Sequence, residues 1–160
     1  MISERDTLQM NLRRVSVGSG RAYVYILCSK LNHVVYVGQT NDPGGVLARL
    51  ASHVGSGGTF RKRLHGFDEI AIEDIDDLEL FAFALPERAE FVSRDETYRE
   101  GVEYNVQVTL QRLRGDWNPY FTIVSNVTSS VTTDFPEVLE LSQQIVSRLE
   151  QLYHYRNELE

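Results

Sequence analysis

Two short β-rich runs, Tyr23-Val24-Tyr25-Ile26-Leu27 and His33-Val34-Val35-Tyr36-Val37, flank a polar turn at residues 29–32. Runs so rich in Val, Ile and Tyr, and so close together, read as two strands of an antiparallel hairpin. Successive side chains on a strand alternate faces, so Tyr23 and Tyr25 point the same way. Tyr36 on the partner strand can then stand beside Tyr25, which brings two phenols to one surface.

The segments after this hairpin supply its cover. Residues 41–45 (Asn-Asp-Pro-Gly-Gly) form a loop by composition. Val46, Leu47, Leu50 and Val54 then recur at helical spacing, and the Gly55-Ser56-Gly57-Gly58 tract closes that helix. Leu78 to Leu85 reads as a third strand. Pro86 with Glu87 opens a helix expected to run to about Glu100 and to stop at Gly101. Residues 104–126, β-rich and broken by Gly115 to Pro119, predict a further hairpin around Trp117 and Tyr120. Asp134 and Glu137 have capping-box spacing ahead of a last helix, whose apolar stripe is Val138, Leu141, Ile145, Leu149 and Leu152. That stripe packs on the domain or forms a homodimer seam, and Tyr153 and Tyr155 serve either. The fold class expected is α/β (α+β): a small, mainly antiparallel sheet flanked by helices, with a C-terminal β-hairpin and helix extension. The divisions are a lead-in at 1–19, a central domain at 20–106 and an extension at 107–160.

Charge narrows the function. The net charge of −7 opposes phosphate binding, which draws its affinity from Lys and Arg. Its distribution does not. Residues 1–65 hold nine basic and three acidic residues, a balance of +6, whereas the remainder holds seven basic and twenty acidic residues, a balance of −13. A positive N-terminal part backed by an acidic body suits a phosphate-binding face. One cysteine, Cys28, excludes an intrachain disulfide framework and a multi-cysteine zinc site, and fits a reducing cytoplasm. No stretch is long and apolar enough to cross a membrane. The Asn126-Val127-Thr128 sequon is read as chance in that setting.

Beyond composition, the order of chemistry-bearing residues is distinctive. Tyr23-Val24-Tyr25-Ile26-Leu27 leads to Val35-Tyr36-Val37-Gly38-Gln39-Thr40, then Arg49-Leu50-Ala51-Ser52-His53, then Glu90 and Tyr104-Asn105. This order resembles the GIY-YIG nucleases, with Tyr23 standing where the family name has its first glycine. The resemblance covers residues 20–106 and implies metal-dependent endonucleolytic hydrolysis of DNA. It casts Tyr25 as the group that activates or orients water, supported by Tyr36 and Tyr23. Arg49 grips phosphate through its planar fork. His53, one helical turn on and on the same face, relays a proton or binds phosphate. Glu90 holds Mg²⁺ (or Mn²⁺), with Glu87 and Glu96 as alternatives on the same expected helix. Gly38 and Asn105 support the site, and Asn105 fixes the glutamate or nearby backbone.

Each of these residues also has a plain structural reading. Tyrosines are good strand formers and, singly, belong to cores. Gly38 alone is a turn, Asn105 alone a turn residue, and Arg49 with His53 a solvated helix face. Lys30, Arg61, Lys62 and Arg63 are expected to contact DNA phosphates or to be ordinary surface. The alternative function is a catalytically inactive module of the same fold that binds nucleic acid or protein.

Overall fold

A computed structural model describes residues 21–93, 97–113 and 121–157. Strand β1 (Tyr23–Ser29) and strand β2 (Val34–Thr40) form the expected hairpin, with Tyr25 opposite Gly38 and Leu27 opposite Tyr36. Helices α1 (Gly45–Val54) and α2 (Thr59–Asp68) follow, then a 3-10 turn at Ile72–Asp74. Strand β3 (Glu79–Ala84) pairs antiparallel with the other side of β1. Helix α3 (Ala89–Val92) and helix α4 (Thr97–Arg112) come next. Strand β4 (Thr122–Ile123) runs parallel to β2, and helix α5 (Pro136–Asn157) ends the described chain. The sheet order is β3-β1-β2-β4.

Strand alternation divides the apolar residues between two cores. Tyr23, Tyr25, Leu27, Val34 and Tyr36 face α1 and α2, where Val46, Phe60 and Leu64 pack against them. Val24, Ile26, Cys28, Val35 and Val37 face the other way, onto Val102, Val106 and Leu110 of α4 and Val138, Ile145 and Leu149 of α5. Val138, Ile145 and Leu149 of the α5 stripe thus pack inside the chain, with Leu141 partly buried beside them. Tyr153 joins the same core, while the Tyr155 side chain lies outside the described residues.

Two sequence expectations fail here, each for a tertiary reason. The helix opening at Pro86 is only the short α3, and Gly101 stops nothing: it sits inside α4. A Cβ on Gly101 would come within 2.8 Å of Thr132 Oγ1 and 3.0 Å of Val138 Cγ1, so the glycine is what lets the start of α5 approach. The hairpin drawn over 104–126 is also replaced, since residues 104–112 continue α4 and β4 pairs in parallel with β2. Val102, Val106 and Leu110 recur every fourth residue, and their burial outweighs the β preference of the Val-Gln-Val-Thr segment. The last helix expected behind Asp134 is α5, which begins at Pro136, a residue preadapted to the first helical position. Residues 1–19, Glu96, Gly115, Trp117, Pro119 and Tyr120 lie outside the described residues.

Candidate active site

The register of the hairpin sets the centre of the site. Tyr36 is the diagonal neighbour of Tyr25 on the α1 side of the sheet, with ring centroids 6.5 Å apart and planes 28° apart. Gly38, directly across from Tyr25, leaves the surface over which the phenol lies. Phe60 of α2 backs Tyr36 edge-on at 5.3 Å.

Helix α1 brings His53 against both rings, 5.9 Å from Tyr25 and 5.4 Å from Tyr36. His53 is only 4% exposed, and neither imidazole nitrogen has a hydrogen-bond partner. Burial, reinforced by the positive charge of Arg49, pushes its pKa down to about 4. The ring is therefore neutral at physiological pH. Arg49, one turn earlier, is exposed and lines the cleft in front of the tyrosines.

Burial drives both phenols towards the protonated form. Desolvation raises Tyr25 well above the ordinary tyrosine range, the neighbouring Tyr36 and Glu103 add to this, and Arg49 opposes it. Tyr36 is pushed up to about 12 by desolvation and by Glu103, against Arg49 and Arg63. The Tyr25 hydroxyl is buried and meets the Arg49 side chain without a well-formed hydrogen bond, and the Tyr23 hydroxyl is buried with no hydrogen-bond partner. Unsatisfied buried hydroxyls are uncommon and costly, and they concentrate where a ligand completes them.

Tyr25 and Tyr36 open into a cleft of about 280 Å³, lined also by Gly38, Gln39, Arg49, Glu100, Glu103 and residues 126–128. Its carboxylates come from α4. Glu90 does not reach it: on the short α3, Glu90 is exposed and faces Arg88 at 3.9 Å. Glu87 is also exposed and pairs with Arg21. Glu103 is 9% exposed and sits near enough to act electrostatically on both tyrosines. Asn105 is directed elsewhere, donating to the Thr133 carbonyl at 2.8 Å and so holding the approach to α5.

The basic residues divide similarly. Arg61 is taken up by Glu73, with bonds of 2.9 and 2.6 Å, and by the Val54 carbonyl at 3.0 Å. Lys30 lies over the Tyr153 ring at 5.0 Å. Lys62 and Arg63 are exposed, and Arg63 contributes positive charge at Tyr36. Gln39 was not singled out in the sequence, yet it lines the cleft and accepts a 2.9 Å hydrogen bond from Arg99 Nε. Arg99 is fully buried and also donates to the Phe91 and Ser93 carbonyls, tying the end of α3 to the cleft wall.

Residues 21–85 match the family model of the GIY-YIG catalytic domain. This segment is similar to a GIY-YIG catalytic domain. The match takes in the hairpin tyrosines, Arg49 and His53, and ends before α4, so the Glu103 carboxylate lies beyond it. The GIY-YIG family is one of nucleases. No curated protein and no solved structure matches the chain. Among the described residues no helix is long and apolar enough to cross a membrane, and no three His, Cys, Asp or Glu side chains converge as a metal cluster. The cleft nonetheless fits a hard cation of the Mg²⁺ type. Such an ion needs one or two carboxylates and room for its waters, and Glu103 in an open polar cleft offers both.

Proposed function

We propose that this cleft hydrolyses phosphodiester bonds of DNA as a metal-dependent endonuclease. The observation that carries the reading is that Tyr25, Tyr36, Arg49 and Glu103 line one cleft, with His53 packed against both tyrosine rings. Phosphodiester hydrolysis needs an oriented water, cationic stabilisation of phosphate charge and a protected proton path. Arg49 is exposed enough to meet a phosphate, and its fork suits two phosphate oxygens. Tyr25 Oη orients the attacking water and, once its own proton has passed to neutral His53, takes the proton of that water, with Tyr36 beside it. Both phenols become easier to deprotonate as positive charge enters the cleft. Neutral His53 holds the two rings in place and can accept a proton from them. Glu103 would hold Mg²⁺ or Mn²⁺, which supplies charge stabilisation to the reacting phosphate.

A second reading has one observation in its favour: the net charge is −7, and Arg49 is the only cation among the described residues lining the cleft. That suits a catalytically inactive module of the same fold that binds nucleic acid or protein. Incubating the chain with supercoiled plasmid and branched DNA, with Mg²⁺ or Mn²⁺, separates the two. Metal-dependent nicking lost in Tyr25→Phe supports the nuclease. A folded wild type that binds DNA without cutting it supports the module.

A further inference from the structure

We infer that Gln39 is a substrate-contacting residue whose amide NH₂ donates to a phosphodiester oxygen in the cleft, and that buried Arg99 is the positioning residue that orients this amide. The inference rests on the reading of DNA as substrate above and deepens it. Strand alternation puts Gln39 on the α4 face of β2, with Val35 and Val37, and α4 carries Arg99 to that face. There Arg99 Nε donates to Gln39 Oε1 at 2.9 Å. A guanidinium has no acceptor, so the amide atom it meets must be the oxygen. The oxygen end of the amide is thereby committed to Arg99, and the NH₂ is the end with which Gln39, a lining residue of the cleft, serves it.

Arg99 does not meet substrate itself. It is fully buried, and its Nη1 donates to the Phe91 and Ser93 carbonyls. Those bonds fix the guanidinium, so the amide is held before DNA arrives and loses little freedom on contact. A cation on the amide oxygen also polarises the group and makes its N–H a stronger donor.

The make-up of the cleft calls for such a donor. Arg49 is the only cation among the described lining residues, and Glu100 and Glu103 add acceptors, not donors. A phosphodiester therefore relies on neutral donors for oxygens that Arg49 does not grip. Gln side chains are ordinary phosphate contacts, and they set the register of DNA on a protein without reading its sequence.

Fluorescence-anisotropy titration of a labelled DNA duplex with the full chain in EDTA, where a metal-dependent enzyme cuts nothing, tests this. Gln39→Glu keeps an acceptor for Arg99, since a carboxylate bonds a guanidinium at least as well, but it cannot donate. Gln39→Met removes the donor without adding charge. Thr128→Glu puts the same added charge on an exposed part of the cleft wall. A hydrogen bond to a charged group is worth about tenfold or more in binding. Gln39→Glu is therefore expected to bind at least about tenfold more weakly than Thr128→Glu, and Gln39→Met at least about tenfold more weakly than wild type. Equal binding by Gln39→Glu and Thr128→Glu, or wild-type binding by Gln39→Met, would overturn the contact and leave the amide as a support for Arg99. No DNA binding by wild type would overturn the contact and the DNA reading together. The expected losses in a chain that binds DNA but never cuts it with Mg²⁺ would uphold the contact and remove the nuclease reading.

Discussion

Gly38 faces Tyr25 across the β1–β2 hairpin, and the phenol lies so close over it that a Cβ there would overlap the ring carbon Cζ and the hydroxyl. The backbone at Gly38 is ordinary extended strand, so space rather than conformation demands the glycine. Gly38→Ala must push Tyr25 off its seat between β2 and His53. Overpacking of this kind costs about 1–3 kcal/mol. Denaturant unfolding should show that loss together with strongly reduced cleavage. Unchanged stability would mean that the ring moves freely and is not held by the hairpin.

Tyr25→Phe should separate stability from activity. Removing a buried hydroxyl that makes no well-formed hydrogen bond relieves a desolvation cost, so the variant should be as stable as wild type or up to about 1 kcal/mol more stable. Cleavage should vanish. A destabilised variant would show that the hydroxyl has a partner in solution and belongs to the core's own hydrogen bonding.

The buried, neutral His53 makes stability depend on pH in a definite direction. Its pKa falls from about 6.5 unfolded to about 4 folded. Between these values the unfolded chain binds the extra proton, so stability rises with pH. The contribution is fully present above about pH 6.5 and is lost as pH falls towards 4. Its size is on the order of 2–3 kcal/mol. Unfolding midpoints measured from pH 7 to 4 should drop in wild type and drop less in His53→Phe. Parallel curves for the two proteins would place a solvated histidine at this position.

How much of this was legible in the sequence follows from which forces are local. The hairpin, its register and the Tyr25–Tyr36–Arg49–His53 group follow from strand alternation and from the one-turn spacing on α1, both properties of neighbouring residues. The carboxylate did not follow. Gly101 looks like a helix stop until α5 is seen to need its missing side chain, and a helix ending there does not carry Glu103. The stretch from Tyr104 to Leu110 looks like strand until Val102, Val106 and Leu110 are seen to share a buried face. Helix α2 was hidden because it buries only Phe60 and Leu64, too few apolar residues to stand out. The Asn126-Val127-Thr128 segment reached the cleft only through the pairing of β4 with β2, which no local pattern announces.

Glu103 of α4 lines the cleft, whereas Glu90 of α3 faces Arg88. Time courses of plasmid nicking with Mg²⁺ for wild type, Glu103→Gln and Glu90→Gln test that difference directly. Wild type and Glu90→Gln are expected to nick at the same rate, with Glu103→Gln slower by at least about 100-fold, as for loss of a principal electrostatic group. Full activity in Glu103→Gln, with activity lost in Glu90→Gln, would contradict the site described for this cleft.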